Sequence, residues 1–248
     1  MKKAIISALI LVLATACAVM GGCSCDGVKQ TGTAYGLVHG YYVGQATVER
    51  SGDKIVSVKF EETEGPSSWA KRANIKDEKA DGVEFTTGGF AKNISIGSVT
   101  FHATDDEGTK SPAYKQKDDG VTFEEWVKTE ENAKFYIEQM AAGNYRILKA
   151  DLSAADMDFS TDKNNLKKGE RWLKSKNGYW SGNATVLGWK GNIDRISDYL
   201  VRNGIGGYTG EETKGDNGWT VNGVETGATL VDFHDYMKLA VRAYESAQ

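Results

Sequence analysis

Alternation of apolar and polar positions marks the first clear element of the chain. In YYVGQATVERSGDKIVSVKFEE (41–62), Tyr42, Gly44, Ala46 and Val48 share one face, and Val56, Val58 and Phe60 share another. Ser51, Gly52 and Asp53 supply turn chemistry between the two runs. A period of two on either side of such a turn predicts a β-hairpin. The stretches GVEFTT (82–87), ISIGSVTFHA (94–103) and NYRILKAD (144–151) mix β-branched and aromatic residues with polar alternation, and are read as further strands.

Elsewhere the period changes to that of a helix. TFEEWVKTEENAKFYIEQMAAG (122–143) opens with Thr122 and Glu125 at capping-box spacing, sets Trp126, Ala133, Ile137 and Met140 on one face, and stops at Gly143. NIDRISDYLVRNG (192–204) repeats the pattern with Asn192 as cap, Ile193, Ile196 and Leu200 inward, and Gly204 as terminator. A last helix is expected to start near Thr229 and to bury Leu230, Phe233, Met237, Val241 and Tyr244. Segments 104–120 and 204–223 are polar and glycine-rich and read as surface loops. Strands and helices in mixed order, with no Pro- or Ser-rich linker between them, predict one α+β domain.

The N-terminus stands apart from this domain. Lys2 and Lys3 precede the apolar run AIISALILVLATA (4–16), the layout of a secretory signal peptide. The run is shorter than the ~20 apolar residues a membrane-spanning helix needs. All three cysteines follow it, at 17, 23 and 25. MGGC (20–23) resembles a bacterial lipobox, which makes Cys23 the residue expected to carry a lipid anchor, with Cys17 as the alternative. The expected organisation is a lipoprotein signal peptide at 1–22, a lipid-anchored tether at 23–34 and one domain at 35–248. The whole chain has 30 basic and 34 acidic residues; loss of Lys2 and Lys3 leaves 28 basic residues and a formal charge of −6. An acidic chain without a basic stripe argues against nucleic acid as a partner. Membrane association is then expected from the lipid rather than from charge.

Several familiar chemistries fail on spacing. GIGGYTG (204–210) has Thr209 where a dinucleotide fingerprint needs its third glycine, and no strand leads into it. DEKADG (77–82) begins like a calcium loop, but Lys79 occupies a ligand position and Gly88 stands where the bidentate acid is required. His39, His102 and His234 are isolated in sequence, so no metal site is expected, and they are read as satisfied or exposed side chains. There is no GxSxG elbow and no cysteine in the domain, so no catalytic residue is assigned. Asp105, Asp106 and Glu107 read as a solvated acidic face.

One stretch remains, NGVETGATLVDF (222–233). If Thr229 begins a helix, unpaired N–H groups and the positive end of the helix dipole favour an anion there. Gly227 and Ala228 are small, so a phosphate esterified to the Thr229 hydroxyl has room. Thr229 and Asp232 also stand at capping-box spacing, and this second reading requires no ligand.

The four residues Thr226, Gly227, Ala228 and Thr229 resemble the Ser/Thr-Gly-Ala-Thr motif of the FMN-binding domain family. That family includes the C subunit of the sodium-pumping NADH:quinone reductase, the G subunit of the Rnf complex and many bacterial lipoproteins. YGLVHGYYVGQATVERSGDKIVSVKFEE (35–62), GWKGNIDRISDYLVRNG (188–204) and VNGVETGATLVDFHDYMKLA (221–240) are similar to its lipoproteins of pheromone-precursor or membrane-immunogen type. The family motif usually has an aspartate just before it; here Asn222, Gly223, Val224 and Glu225 precede.

The resemblance implies a twisted antiparallel sheet with flanking helices. It implies covalent FMN on Thr229, attached by a separate magnesium-dependent flavin transferase, with Thr226, Gly227 and Ala228 as the recognition frame. Aromatic side chains would then cover the flavin ring, and Trp69 and Tyr114 are the residues singled out for it. The function implied is electron transfer on the extracytoplasmic face of the membrane, from a membrane redox donor to an extracytoplasmic acceptor, rather than conversion of a substrate. Two alternatives stand beside it: a binding or adhesive surface lipoprotein of the same fold without flavin, and a leader trimmed into a short signalling peptide.

Overall fold

The computed structural model describes residues 27–104, 111–155, 166–205 and 208–248. The signal-type segment, Cys17 and Cys23 and the acidic residues 105–107 lie outside the described residues. Strands β1 (Lys29–Val38), β2 (Tyr42–Ser51) and β3 (Lys54–Thr63) form an antiparallel meander in that order. A four-stranded antiparallel sheet has the order β6-β5-β4-β7, with β4 at Asn93–Ile96, β5 at Val99–Ala103, β6 at Tyr114–Gln116 and β7 at Tyr145–Leu148. A small third sheet is built from β8 (Glu212–Gly215), β9 (Gly218–Val221) and β10 (Val224–Glu225). Six α-helices accompany them among the described residues: α1 (Pro66–Trp69), α2 (Phe123–Trp126), α3 (Glu130–Ala141), α4 (Lys174–Asn177), α5 (Gly188–Asn203) and α6 (Phe233–Ser246). The architecture is mixed, with antiparallel sheets and packed helices, as the α+β expectation requires.

The meander separates two apolar clusters. On one side α5 and α6 pack against Ala34, Val38, Ala46, Val48, Val58 and Phe60. On the other, Val43 joins the core formed by the four-stranded sheet with α1, α2 and α3. The face of β1 and β2 under α6 is made of small residues, and the reason is geometric. A Cβ on Gly32 would lie 2.0 Å from the Ala243 carbonyl oxygen, and one on Gly44 would lie 2.9 Å from a Leu239 methyl. The helix therefore lies against the strand backbone itself, and only glycine permits that approach.

This close packing explains where the sequence pattern misleads. β1 buries Gly32, Ala34, Gly36 and Val38 rather than large side chains, so residues 29–34, expected as tether, are instead the first half of a strand. In β3 the predicted inward Val56 is exposed and Ile55 is buried, because a β-bulge at Glu49/Arg50 shifts the register by one and exchanges the faces. GVEFTT forms only the isolated bridge Phe85–Ala91 rather than a strand. The two expected loops contain β6, β8 and β9, short strands that carry little apolar signal.

The helices correct in boundary more than in identity. The long helical pattern divides at Val127, where Thr122 caps α2 by accepting from the Glu125 N–H (3.2 Å) and Thr129 caps α3 by accepting from Asn132 (3.3 Å). Trp126, Ala133, Ile137 and Met140 are buried as the pattern requires. Gly204 ends α5, its N–H donating to the Leu200 carbonyl at 2.9 Å. In α6, Phe233 and Met237 are buried, while Val241 and Tyr244 are only half-buried.

Gly32→Ala is expected to lower the free energy of unfolding by about 1–3 kcal/mol, the usual cost of overpacking. Gly215→Ala, on exposed β8 with its nearest neighbour 3.8 Å from the added Cβ, should stay within about 0.5 kcal/mol of the parent. Urea denaturation of the two variants measures the difference.

Candidate functional site

The motif residues 226–229 lie in the loop between β10 and α6, and each has a different surrounding. Thr226 is buried: its N–H and its hydroxyl both donate to the Trp219 carbonyl at 2.8 Å, and its Oγ1 accepts from the Ala228 N–H at 3.1 Å. Gly227 adopts φ +74, a left-handed conformation that a side chain would strain. Ala228 is fully buried, and its carbonyl accepts from the Trp219 N–H at 2.8 Å. The Trp219 ring stacks on Phe233 with 5.5 Å between centroids and an interplanar angle of 13°. Trp219 of β9 thus holds Thr226 and Ala228 inward, Gly227 turns the chain between them, and Thr229 is the one left exposed.

What holds Thr229 is Asn192. Instead of capping α5, Asn192 lies one turn inside it, because the helix starts at Gly188. Its side chain is completely buried, with Nδ2 donating to the Gly188 carbonyl at 2.7 Å. Its Oδ1 accepts from the Thr229 N–H (2.6 Å), the Thr229 hydroxyl (3.2 Å) and the Leu230 N–H (3.2 Å). One carboxamide thereby satisfies two successive backbone N–H groups of the loop, while the Leu230 carbonyl accepts from the Trp219 indole N–H. One turn further along α5, Arg195 passes beside Gly227: its Cδ and Nε lie 3.6 and 3.8 Å from where a Gly227 Cβ would be.

The helix-dipole expectation needs correction. α6 starts at Phe233, four residues after Thr229, with Asp232 as cap residue, and no Thr229–Asp232 capping box forms. The first turn of α6 already faces acids. Burial pushes the Asp232 carboxyl above the usual carboxylate range, with Asp235 acting in the same direction and His39 and Lys174 against it. A positive charge beside the motif comes instead from Arg195 on α5.

Behind α6 lies a buried polar cluster that the sequence did not announce. Glu62 on β3 is fully buried and pairs with Lys174, whose ammonium sits 3.7 Å from the Tyr42 ring centroid and 4.0 Å from that of Tyr179. Tyr236 on α6 donates to Glu62, and the Trp189 indole N–H donates to Tyr236 (2.9 Å) and to Glu62 (3.1 Å). This cluster ties β3, α4, α5 and α6 together. Burial is the largest influence on the Glu62 carboxyl and raises its pKa, opposed by the Lys174 charge and by the Tyr236 hydroxyl.

The two aromatic residues singled out to cover a flavin ring lie in the other core. Trp69 and Tyr114 are almost completely buried; the Trp69 indole donates to Tyr136 (3.3 Å) and the Tyr114 hydroxyl donates to the Ala91 carbonyl (2.9 Å). They stand in α1 and β6, not in loops. Ala228 and Leu230 belong to the first cluster, so these aromatics pack apart from the motif. Among the histidines, the fold brings His234 to Tyr208 and Glu212, with His234 Nδ1 2.8 Å from the Tyr208 hydroxyl. No group of three metal-ligating side chains occurs among the described residues, and no helix among them is long and apolar enough to cross a membrane. Comparison of the chain with family models, with curated proteins and with solved structures returned no match.

Asn192→Ala removes the acceptor of two backbone N–H groups and should cost about 2–6 kcal/mol, the sum of two unsatisfied donors, read by thermal or urea unfolding. Lys174→Met leaves Glu62 buried and unpaired, at a cost of about 3–5 kcal/mol at neutral pH. With the opposing ammonium gone, the folded-state pKa of Glu62 rises further, so the fold prefers the protonated acid. Stability of that variant is then retained below the ordinary carboxylate range and lost as pH rises through the raised value. Its deficit in melting temperature against the parent should therefore be smaller at pH 5 than at pH 8.

Proposed function

We propose that the chain is a lipid-anchored extracytoplasmic flavoprotein that carries FMN through a phosphoester on the Thr229 hydroxyl. The observation that supports this reading is the division of labour in residues 226–229. Thr226 and Ala228 are buried and Gly227 supplies the left-handed turn between them, while Thr229 is the exposed residue of the four, its hydroxyl bonded to Asn192. The setting suits a phosphate: an exposed threonine, with the Arg195 side chain of the neighbouring helix beside Gly227.

Esterification removes the hydroxyl proton and with it the bond from Thr229 Oγ1 to Asn192. The Asn192 oxygen keeps its two backbone donors, Thr229 N–H and Leu230 N–H, so the loop retains its anchor. On this reading Arg195, beside Gly227, supplies the charge that a phosphodiester needs. Trp69 and Tyr114, buried in the other core, are not available to the ring; Trp180, 44% exposed on the segment leading into α5, is proposed in their place. Bound FMN would supply one- and two-electron redox chemistry, while the protein holds and orients it. The partners on this reading are a flavin transferase for maturation, a membrane redox donor and an extracytoplasmic acceptor.

A second reading has one observation in its favour. The Thr229 hydroxyl already donates to Asn192, which gives it a purely structural role in a binding or adhesive lipoprotein without flavin. Co-expression of the domain with a flavin transferase separates the two. The first reading expects a fluorescent band on denaturing electrophoresis and a matching gain in intact mass, both lost in Thr229→Ala. That variant should keep its stability within about 0.5 kcal/mol, because the side chain is exposed. An unchanged mass of the parent protein selects the second reading.

A further inference from the structure

A cavity of about 440 Å³ lies between α6 and β1, and residues 226–229 are not among those that line it. Its volume is in the range of small-molecule sites. The walls include Leu37 from β1 and Leu239 from α6, with the Tyr208 ring closing one side. Tyr208 is fixed from behind, because its hydroxyl lies 2.8 Å from His234 Nδ1 and 3.1 Å from a Glu212 carboxylate oxygen. The polar tip of the tyrosine is thus committed, and its ring serves as a rigid apolar wall.

Charge distinguishes this cavity from the rest of the surface. Lys238, Arg242 and Lys128 line it against one carboxylate, Asp235, in a chain whose formal charge is −4. Asp235 is held at the edge, where it accepts from the His39 N–H at 3.0 Å. Lys128 is paired with Glu125. Arg242 is preorganised: its guanidinium lies across Gly36, with Nη2 3.0 Å from where a Cβ would stand, and it donates to the Tyr35 carbonyl. That bond uses one of its five N–H groups, and the rest are available to an anion. Lys238 forms no ion pair with the described residues.

An apolar floor with two cations at the rim matches one chemistry. The geometry points to a binding site for a small amphipathic organic acid, whose carboxylate is held by Arg242 and Lys238 and whose hydrocarbon or aromatic body lies against Leu37, Leu239 and Tyr208. A neutral molecule of the same shape gains the apolar contact and leaves the cations unpaired. A cation of that shape is repelled. The site is independent of Thr229 and of any flavin.

Octanoate and octanol serve as matched probes of the domain without its lipid anchor, by titration calorimetry or ligand-observed NMR. Octanoate should bind more tightly than octanol by about tenfold or more, the scale of a charge-assisted hydrogen bond. Lys238→Glu should weaken octanoate by a similar factor, leave octanol unchanged and melt with the parent, since the side chain is exposed. Arg242→Gln should act in the same direction. Equal affinity for the two probes, no octanoate binding, or octanoate binding indifferent to Lys238→Glu would each overturn the assignment. So would Lys238-dependent co-sedimentation with phosphatidylglycerol vesicles in the absence of octanoate binding, which would make the cations a membrane-contact surface.

Discussion

Everything on this side of the molecule depends on how closely α6 approaches the meander. Gly32, Ala34, Gly36, Gly44 and Ala46 give β1 and β2 a face without bulk, so the helix axis sits nearer the strands than ordinary side chains allow. Gly32, where a methyl group would strike the Ala243 carbonyl, fixes the helix along its length as well as its depth. The loop 226–232 must then span from β10 to a helix start that cannot move. Two other features follow from the same placement: Tyr236 reaches Glu62, and Arg242 lies across Gly36.

The motif loop shows how a short sequence divides its tasks. A left-handed glycine, a buried alanine and a threonine that donates twice to one carbonyl make a rigid turn. Asn192 adds the external constraint, since a buried amide that accepts from successive backbone N–H groups fixes both position and direction of the segment. Preorganisation of this kind reduces the ordering cost of any group attached at Thr229. It also makes the neighbourhood of Thr229 a product of α5 as much as of α6.

How much of this was legible differs by element. The hairpin β2–β3, the face of α3 and the stop of α5 at Gly204 are local matters, set by period, cap and glycine, and the sequence carries them. β1 was hidden because its inward residues are small for the sake of α6, and hydrophobic periodicity registers size. Val56 was misplaced because a bulge is set by pairing between strands, which one strand's pattern does not reveal. Asn192 reads as a cap from its neighbours; only the approach of Thr229, 37 residues later, gives its buried amide another task. Trp69 and Tyr114 stood in stretches without regular period, and nothing local tells a core aromatic from an available one. The lysine between two tyrosine rings was equally silent, since Tyr42, Lys174 and Tyr179 meet only through the fold.

The meander has a further consequence through its two occupied faces. Val43 points to one apolar cluster while its neighbours Tyr42 and Gly44 belong to the opposite side of the same strand. The sheet is a party wall, and neither compartment owns it. A fragment ending before α5 would keep the wall but bare one side of it; a fragment starting after β3 would lose the wall altogether. Among the described residues the two parts of the apolar interior thus share one sheet.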